Sequence, residues 1–284
     1  MEVVLEEFYR SVSKYGEEVC GDNVEIIKKE NKTIVVLSDG LGSGIKANIL
    51  STLTSKIASG LLAKELPLKE ILSTILAALP VCEVRGIAYA TLAFLVIDQN
   101  QQLRLIEIDS PAAFLVRDNE VKKLNYQEYE MEGKIIREAE FKFQHQDQIF
   151  LVSDGVIHAG IGELLNGGLG WDGTAREIER TVKKHENNLE CSINRLVKTF
   201  NTFYEEKADD DFTVIGIHYR KKRKLNIWSG PPMNKEDDSH IAHKFSAEDG
   251  KKIISGGTTA KIAARELNRE LEVENKDYDK SIPP

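Results

Sequence analysis

The sequence predicts an α+β fold in which antiparallel β-strands form a sandwich flanked by α-helices, giving α-β-β-α layers. Short segments rich in Val, Ile and Leu follow one another with tight turns between them, which is typical of antiparallel strands. Two pairs of longer helical segments need an apolar sheet face to cover. The 284 residues are 41% hydrophobic and 30% charged, so the chain has enough apolar side chains to form such a core.

The strands are predicted from β-branched residues and from the turn residues that separate them. The first two are Val24–Ile27 and Thr33–Leu37. Turn residues such as Asp98-Gln99-Asn100 indicate hairpin connections between later strands. These later strands are Ala88–Ile97, Leu103–Ile108, Ala113–Arg117, Glu120–Leu124, Gln148–Val152 and Phe212–Tyr219.

Four helices are predicted to cover the sheets. The first pair spans Ile45–Lys64 and Leu68–Leu79, with Pro67 before the second helix and Pro80 after it. The second pair spans Gly173–His185 and Leu189–Glu205. Both pairs are long enough to cover an apolar sheet face, which completes the outer layers of the predicted sandwich.

A change in composition divides the chain. The basic run Arg220–Lys224 is interpreted as a strand end and linker, and not as a nucleic-acid site. We therefore expect one domain at residues 1–220 and a small C-terminal extension of unknown role at 221–284. The extension is predicted to contain a strand at Lys252–Ser255 and a helix that ends near Leu271, and its last residues, KDYDKSIPP, are expected to be disordered.

Two polar segments of the extension allow more than one interpretation. Gly256-Gly257-Thr258-Thr259 lies between the strand and the helix, where an anion can bind at a helix N-terminus. Ordinary capping by Thr258 or Thr259 is the simpler interpretation. Asp237-Asp238-Ser239-His240 and His243 could coordinate a metal, but a flexible acidic loop is the simpler interpretation.

Charge and composition disfavour several classes of partner. The net charge of −8 and the pI of about 5.4 argue against nucleic acid or an anionic membrane as partner. The sequence contains no apolar run of membrane-spanning length, and the acidic N-terminus lacks the pattern of a secretion signal. The cysteines Cys20, Cys82 and Cys191 are odd in number and far apart, which indicates a reduced compartment. A cytoplasmic protein is therefore expected.

Aspartates at strand ends are the candidate chemical groups. Ser38-Asp39-Gly40 and Ser153-Asp154-Gly155 each follow an apolar strand, although one such Asp-Gly pair alone usually marks a turn. Two further acidic positions lie at strand edges: Asp22, and Asp210 within Asp209-Asp210-Asp211. If these edges meet, the crowded carboxylates either raise one another's pKa values or require a counter-cation. Oxygen ligands select Mg²⁺ or Mn²⁺, and the backbone carbonyl of a glycine at position 40 can approach a cation.

These residues occur in an order that resembles a known family. The set comprises Gly21-Asp22, the loop Asp39-Gly40-x-Gly-x-Gly before a helix, Thr91 in a strand, Ser153-Asp154-Gly155, and Asp210-Asp211-x-Thr-Val. The same order is found in PPM-type metal-dependent protein phosphatases. The glycine-rich loop is most similar to the bacterial branch typified by the sporulation stage II protein E phosphatase domain. The resemblance covers residues 1 to about 220.

The resemblance implies a two-ion centre that contains Mn²⁺ or Mg²⁺. One ion would be held by Asp39, Asp154 and Asp210, and the other by Asp22, Asp39 and the backbone carbonyl of Gly40. The triple aspartate leaves open whether Asp210 or Asp211 is the ligand. A water that bridges the two metals would hydrolyse phosphoserine or phosphothreonine directly, without a phosphoenzyme.

The resemblance also implies a substrate and a means of regulation. The substrate would be a phosphorylated regulatory protein, such as an anti-anti-sigma-like protein. The paired helices after the glycine loop would control cation affinity by positioning the ligands. The alternative is a catalytically silent partner-binding regulator of the same fold, but the presence of all four aspartates disfavours it.

Three further features were weighed. Gly40–Lys46 could be a nucleotide-binding loop, but its spacing fits neither the P-loop nor the G-x-G-x-x-G pattern. His158 lies near a motif, and a structural or surface role is the simpler interpretation. Asp109-Ser110-Pro111 stands where the family often has a glycine, which would place an additional carboxylate near the site entrance, although a plain turn is equally compatible.

Overall fold

The structure, a computed structural model, describes residues 3–64, 66–78, 90–161, 167–185 and 188–272. The chain divides into two compact units, one that ends at Lys221 and one that begins at Lys222. The predicted helix-ending Pro80, Cys82 and the disordered tail lie outside the described residues. Within the described residues, no helix is both long and apolar enough to cross a membrane.

The first unit is built from two antiparallel sheets. The five-stranded sheet has the order β1-β11-β10-β6-β7, and the six-stranded sheet has the order β2-β3-β4-β5-β9-β8. The strands are β1 (Val3–Val12), β2 (Asp22–Lys28), β3 (Lys32–Gly40), β4 (Ala90–Asp98), β5 (Gln102–Ile108), β6 (Phe114–Arg117), β7 (Glu120–Lys122), β8 (Gln127–Met131), β9 (Lys134–Lys142), β10 (Gln148–Val152) and β11 (Phe212–Lys221).

Helices cover the outer face of each sheet. The helices of this unit are α1 (Gly44–Leu62), α2 (Leu68–Ala78), α3 (Asp154–Ile157), α4 (Gly170–Lys184) and α5 (Leu189–Phe203). Apolar residues of α1 and α2 pack on the six-stranded sheet, and those of α4 and α5 pack on the five-stranded sheet. Between the sheets, Leu37 and Leu95 pack with Leu151 and Ile215. The predicted α-β-β-α sandwich is therefore confirmed.

The structure contains strands that the sequence analysis missed. β1 pairs with β11 over its whole length, and β8 and β9 form a hairpin at the edge of the six-stranded sheet. All three strands carry many charged residues, because one face of each is open to solvent. The four helices predicted for this unit are observed with boundaries that differ by at most three residues.

The second unit contains a parallel pair of strands. Its elements are β12 (Leu225–Ser229), a 3₁₀ turn (Lys235–Asp237), α6 (Asp238–Ala247), β13 (Lys251–Ser255) and α7 (Gly257–Glu266). β12 and β13 run parallel, and Trp228, Ala242, Ile262 and Ala263 form a small core. The sequence analysis missed β12.

Three predictions for this unit are wrong. The predicted flexible acidic loop is the 3₁₀ turn and the start of α6, where the buried Asp238 carboxylate accepts a 2.6 Å hydrogen bond from Arg265. The predicted capping by Thr258 or Thr259 is absent. Instead, Gly256 is the N-cap of α7, and no side-chain cap hydrogen bond is formed. The helix ends at Glu266, short of the predicted Leu271.

Candidate metal centre

Asp22 and Asp39 are opposed on two neighbouring strands. They are register partners in the antiparallel pair β2–β3. Directly opposed residues of such a pair project their side chains from the same face of the sheet, about 5 Å apart at Cβ. Asp22 is only 4% exposed. The end of this strand pair therefore brings two carboxylates together, one of them deeply buried.

The five-stranded sheet supplies the other acidic side chains. Strand β10 ends at Val152, and α3 begins at Asp154. Asp210 lies two residues before β11 begins. Because Val152 is the register partner of Val214, Asp154 and Asp210 lie near the same end of the sheet. Each sheet thus contributes two of the four predicted aspartates.

Ser153 connects the two sheets at this end. Its hydroxyl donates a 2.7 Å hydrogen bond to Oδ2 of Asp22 and accepts one of 2.8 Å from the backbone amide of Thr213. The other carboxylate oxygen of Asp22, Oδ1, is buried and has no hydrogen-bond partner among the described residues. A buried carboxylate oxygen without a donor indicates a missing ligand, since leaving it bare is costly.

An open cavity of about 480 Å³ lies where the sheet ends meet. Four predicted residues line it: Asp39, Gly40, Asp154 and Asp210. Asp22 is buried and is not among the lining residues. The rest of the lining consists of Lys14, Leu41, Gly42, Ser43, Ala90, Thr91, Asp109 and Lys134. The structure thus brings four of the five predicted residues into one cavity.

The two adjacent aspartates before β11 have different environments. Asp210 lines the cavity. Asp211 is 2% exposed, and its Oδ1 accepts a 3.0 Å hydrogen bond from the backbone amide of Lys14. A Cβ atom on Gly21 would come within 2.7 Å of the Asp211 Oδ2 atom. Asp210 therefore lines the space where a ligand can bind. Asp211 supports the adjacent backbone through Oδ1, and its buried Oδ2 has no hydrogen-bond partner among the described residues.

Burial and mutual repulsion raise the pKa values of these carboxyl groups. Burial, followed by the charges of Asp22 and Asp154, raises the pKa of Asp39 to about 10. Burial raises the pKa of Asp22 to about 7, with Asp211 and Asp154 as weaker contributors. Burial and the charge of Asp154 also raise the pKa of Asp210. A bound cation would reverse this effect by stabilising the ionised forms.

The donor set fits a hard divalent cation. All candidate groups are carboxylate or backbone oxygens, which Mg²⁺ and Mn²⁺ prefer. Across the described residues, no group of three or more His, Cys, Asp or Glu side chains has the arrangement of a preformed metal site. Backbone carbonyl oxygen and water would therefore have to complete the ligand sets, as these cations commonly accept.

The glycines of the two Asp-Gly pairs permit close backbone contacts. A Cβ atom on Gly40 would lie 2.1 Å from the carbonyl oxygen of Ala47 in α1, and one on Gly155 would lie 2.2 Å from the carbonyl oxygen of Asp211. Neither glycine has a positive φ angle. From the sequence, glycine at position 40 was expected to give a cation access to the backbone carbonyl; in the structure, α1 also packs directly on this backbone.

Two lysines that the sequence analysis did not identify lie in the cavity wall. Lys134, at the start of β9, forms a 2.6 Å ion pair with Asp109, whose φ angle is 53°. Lys14 forms no ion pair in the described part of the chain, and its charge lowers the pKa of Asp210. No periodic pattern marks either lysine, so only the tertiary structure reveals them. The sequence-based suggestion of an additional carboxylate near the entrance agrees with the position of Asp109.

Two further features considered from the sequence are His158 and the glycine-rich loop. His158 is exposed and outside the cavity lining, in agreement with a surface role. The glycine-rich loop contributes Gly40, Leu41, Gly42 and Ser43 to the wall. Because this loop faces carboxylates, a nucleotide phosphate would be repelled there unless a cation intervened.

Comparison with known proteins gives a family match. The family model described as Stage II sporulation protein E (SpoIIE) matches residues 29–220. The SpoIIE phosphatase domain from Bacillus subtilis aligns with a TM-score of 0.55 at 20% identity, covering 82% of this chain and 98% of that one. RsbX in complex with magnesium aligns with a TM-score of 0.54 at 17% identity, covering 76% and 95%.

A third structural neighbour is PppA, described as a key regulatory component of T6SS in Pseudomonas aeruginosa. It aligns with a TM-score of 0.56 at 15% identity, covering 77% of this chain and 100% of that one. No curated protein matches the sequence significantly. At these identities the structural neighbours establish a shared fold, and the family match covers most of the first unit.

Proposed function

The chain belongs to the stage II sporulation protein E family of PPM-type phosphatase domains, and we propose that it is a metal-dependent protein serine/threonine phosphatase. One observation carries the proposal. Carboxylates from both sheets converge at one open cavity, where burial and then mutual repulsion raise their pKa values. Beside the cavity, a buried oxygen of Asp22 has no donor among the described residues. Carboxylates this close together require cations to neutralise them, and the same cations would attract a phosphate dianion.

Two Mg²⁺ or Mn²⁺ ions are proposed as cofactors. Asp39, Asp154 and Asp210 would hold one ion. Asp22, Asp39 and the carbonyl oxygen of Gly40 would hold the other, so Asp39 would be shared. When bound, such ions supply a water of lowered pKa for direct attack on phosphorus and neutralise charge on the phosphoryl oxygens.

The protein's own side chains would orient the substrate. Lys14 lines the cavity and forms no ion pair with any residue that the structure describes, so its ammonium group can attract a phosphoryl oxygen. Lys134 neutralises Asp109 on the same wall, so that this carboxylate does not repel the substrate. Because the cavity is open to solvent, a phosphorylated side chain on the surface of another protein could enter it.

A phosphorylated regulatory protein, such as an anti-anti-sigma-like protein, is the proposed substrate. The relatives support this class: SpoIIE is described as a cell fate determinant, and PppA as a key regulatory component. A protein substrate is also compatible with the cavity, since its wall combines acidic and basic side chains that a flanking peptide can contact.

The test is hydrolysis of p-nitrophenyl phosphate and of a phosphoserine peptide in Mn²⁺, Mg²⁺ or EDTA. We expect cation-dependent phosphate release that Asp39→Asn and Asp154→Asn abolish. The matched control is Asp118→Asn, an exposed position in the turn between β6 and β7 whose φ of 55° asparagine tolerates. Unchanged release in either site variant would overturn the proposed site.

A folded protein that releases no phosphate under any cation would contradict the enzymatic proposal. Calorimetric titration with Mn²⁺ then distinguishes the two remaining possibilities. Binding that Asp39→Asn abolishes would indicate a competent centre that requires a partner. Absence of binding would favour the catalytically silent partner-binding regulator.

A further inference from the structure

An open apolar groove of about 220 Å³ lies in the first unit. It lies between the start of α4, the segment that joins β5 to β6 and the segment that joins β7 to β8. It is separate from the aspartate cavity, the cavity that Asp39, Asp154 and Asp210 line. We call it the Trp171 groove, and its lining consists of Ala112, Ala113, Lys123, Leu124, Tyr126 and Trp171.

The two aromatic walls of the groove are held in place. The indole of Trp171 stacks on Phe114 with the ring centroids 5.0 Å apart, and its Nε1 donates a 3.1 Å hydrogen bond to the carbonyl of Ala112. The hydroxyl of Tyr126 donates a 3.0 Å hydrogen bond to the buried carboxylate of Glu107. Walls that are already ordered lose little conformational entropy when a ligand binds, so the groove is preformed for binding.

One short segment of chain connects the groove to the aspartate cavity. Asp109 lines the cavity, and Ala112 lines the groove. The segment is fixed beyond Ala112, because the amide of Ala113 donates a 2.7 Å hydrogen bond to Glu107. Since Asp109 and Ala112 are three positions apart, their Cα atoms are separated by at most about 11 Å. A peptide whose phosphoserine enters the cavity therefore reaches the groove with a residue about three positions away.

Size and charge indicate what the groove can hold. A cavity of about 150 Å³ holds a benzene molecule, so a groove of 220 Å³ has room for the side chain of phenylalanine or leucine. Lys123 is exposed, and its Nζ lies 5.9 Å from the centroid of the Trp171 ring. It forms no ion pair with any residue that the structure describes. Although the whole chain has a net charge of −8, the positive charge here favours an anionic partner such as a phosphorylated protein.

We propose that the Trp171 groove binds a phenylalanine or leucine side chain of the phosphorylated protein substrate, about three residues from the phosphorylated residue. This inference rests on the proposed phosphatase function and identifies a feature by which the substrate is recognised. The contact is the same in the bound substrate and in the transition state, so it lowers KM and leaves kcat unchanged. p-Nitrophenyl phosphate is too small to reach the groove and gains nothing from it.

The first test compares phosphoserine peptides of identical composition on the full-length protein. In the near-position peptides, one phenylalanine stands two, three or four residues from the phosphoserine, on either side. In the distant-position peptide, it stands about eight residues away. We expect one near-position peptide to have a KM about tenfold lower than that of the distant-position peptide, with equal kcat. Hydrolysis of p-nitrophenyl phosphate is measured in parallel and reports on the metal centre alone.

The second test fills the groove. Ala112→Phe adds a phenyl ring to a residue of the lining, so this ring competes with the side chain of the substrate. We expect the KM of the near-position peptide to rise to that of the distant-position peptide. The matched control is Asn125→Phe, which adds the same ring at an exposed neighbouring position outside the lining. This variant is expected to keep the difference in KM between the two peptides.

Binding can also be measured without turnover. The chain has two tryptophans, so Trp228→Phe leaves Trp171 as a single indole in the wall of the groove. The titrants are near-position and distant-position peptides in which a phosphonate that cannot be hydrolysed replaces the phosphoserine phosphate, in the presence of Mn²⁺. We expect the near-position peptide to change the Trp171 emission and to bind about tenfold more tightly.

The outcomes separate the groove from the phosphatase function. If all peptides have equal KM values while p-nitrophenyl phosphate is hydrolysed, the groove proposal is overturned and the proposed function stands. If no substrate is hydrolysed, the proposed function is contradicted, and the fluorescence titration alone decides the groove: tighter binding of the near-position peptide supports it, and equal binding overturns it. A peptide preference that persists unchanged in Ala112→Phe also overturns it. So does a wild-type dimer that Ala112→Phe dissociates, because the occupant would then be a second copy of the chain.

Discussion

The hydroxyl of Ser153 donates a 2.7 Å hydrogen bond to the carboxylate of Asp22 and thereby joins the two sheets beside the proposed metal centre. Asp22 belongs to the six-stranded sheet, and Ser153 follows a strand of the five-stranded sheet. Because the same hydroxyl also accepts from the amide of Thr213, one side chain links the carboxylate of Asp22, a proposed ligand, to the backbone of β11.

Ser153→Ala is therefore expected to affect both stability and cation affinity. The substitution leaves the Thr213 amide and one Asp22 oxygen without their buried partner, which costs about 1–3 kcal/mol in free energy of unfolding. It also frees Asp22 to turn away from the cations, so Mn²⁺ affinity falls about tenfold. Urea unfolding and calorimetric titration measure the two effects.

The matched control is Ser38→Ala. Ser38 is equally buried, and its hydroxyl donates to the carbonyl of Thr91 at 3.0 Å without touching a carboxylate. This variant is expected to lose about 1 kcal/mol of stability and to keep its Mn²⁺ affinity. Equal Mn²⁺ affinities of wild type and Ser153→Ala would contradict the role given to Ser153.

Asp210→Asn is expected to lower turnover, whereas Asp211→Asn is expected to leave turnover nearly unchanged. Asp210 lines the cavity, so its substitution removes a proposed ligand and lowers cation-dependent turnover on the order of 100-fold. Asparagine at position 211 keeps an oxygen for the Lys14 amide and removes one negative charge from the buried cluster. Turnover by this variant is expected to stay near wild type, with unchanged or higher stability. A loss of turnover confined to Asp211→Asn would assign the ligand to position 211.

The sandwich could be predicted from the sequence, but several of the strands at its edges could not. Buried strands such as β3 and β4 contain the uninterrupted apolar runs Ile34–Leu37 and Leu92–Ile97, because both of their faces are covered there, and these strands were predicted. β1, β8 and β9 have one face open to solvent, so charged residues interrupt their pattern. In β9 the alternation KIIREAEFK is equally compatible with a helix. Their pairing is determined by tertiary contacts that a single sequence does not display.

The candidate site was more predictable than its surroundings. Asp39 and Asp154 can be recognised in the sequence because each belongs to an Asp-Gly pair at the end of an apolar strand. Lys14 and Lys134 have no such signature, since their place in the cavity wall depends on how the chain packs after the strands form. The use of Gly155 was also unpredictable, because the backbone that approaches it belongs to Asp211, 56 positions further along the chain.

Lys14→Met is expected to weaken recognition of the phosphate group. Lys14 lines the cavity and has no ion-pair partner in the described chain, so its charge is available to a phosphoryl oxygen. We expect KM for a phosphoserine peptide to rise about tenfold, which corresponds to loss of about 1.4 kcal/mol. The salt dependence of kcat/KM decreases as well. Lys14→Arg is the charge-conserving control, and equal KM values for Lys14→Met and wild type would exclude this contact.

The Lys134–Asp109 ion pair predicts that one substitution can be rescued by another. Lys134→Met leaves the Asp109 carboxylate unpaired in the cavity wall, where it repels a phosphate dianion. We expect kcat/KM to fall about tenfold. In the double variant Lys134→Met/Asp109→Asn the repulsion is removed, and most of the loss is recovered. A double variant as impaired as Lys134→Met alone would show that Lys134 acts directly and not through Asp109.

The final prediction concerns α1, the first of the paired helices expected to control cation affinity. Asn48 on α1 donates a 2.8 Å hydrogen bond to the carbonyl of Cys20, and Ser55 donates one of 2.8 Å to the side chain of Asn23. These two contacts flank Asp22 on both sides. α1 therefore holds the strand segment that carries Asp22, and a displacement of α1 would move this proposed ligand.

Asn48→Ala/Ser55→Ala is expected to lower Mn²⁺ affinity about tenfold, because the contacts position Asp22. The fold is expected to be retained, because neither residue belongs to the apolar cluster between α1, α2 and the six-stranded sheet. Saturating Mn²⁺ restores turnover, since the ligands themselves are intact. The control is Thr74→Ala on α2, where the exposed hydroxyl bonds only to the carbonyl of Glu70 within its own helix. If the double variant retained wild-type Mn²⁺ dependence of turnover, α1 would serve only to cover the sheet, and control of cation affinity would have to lie elsewhere.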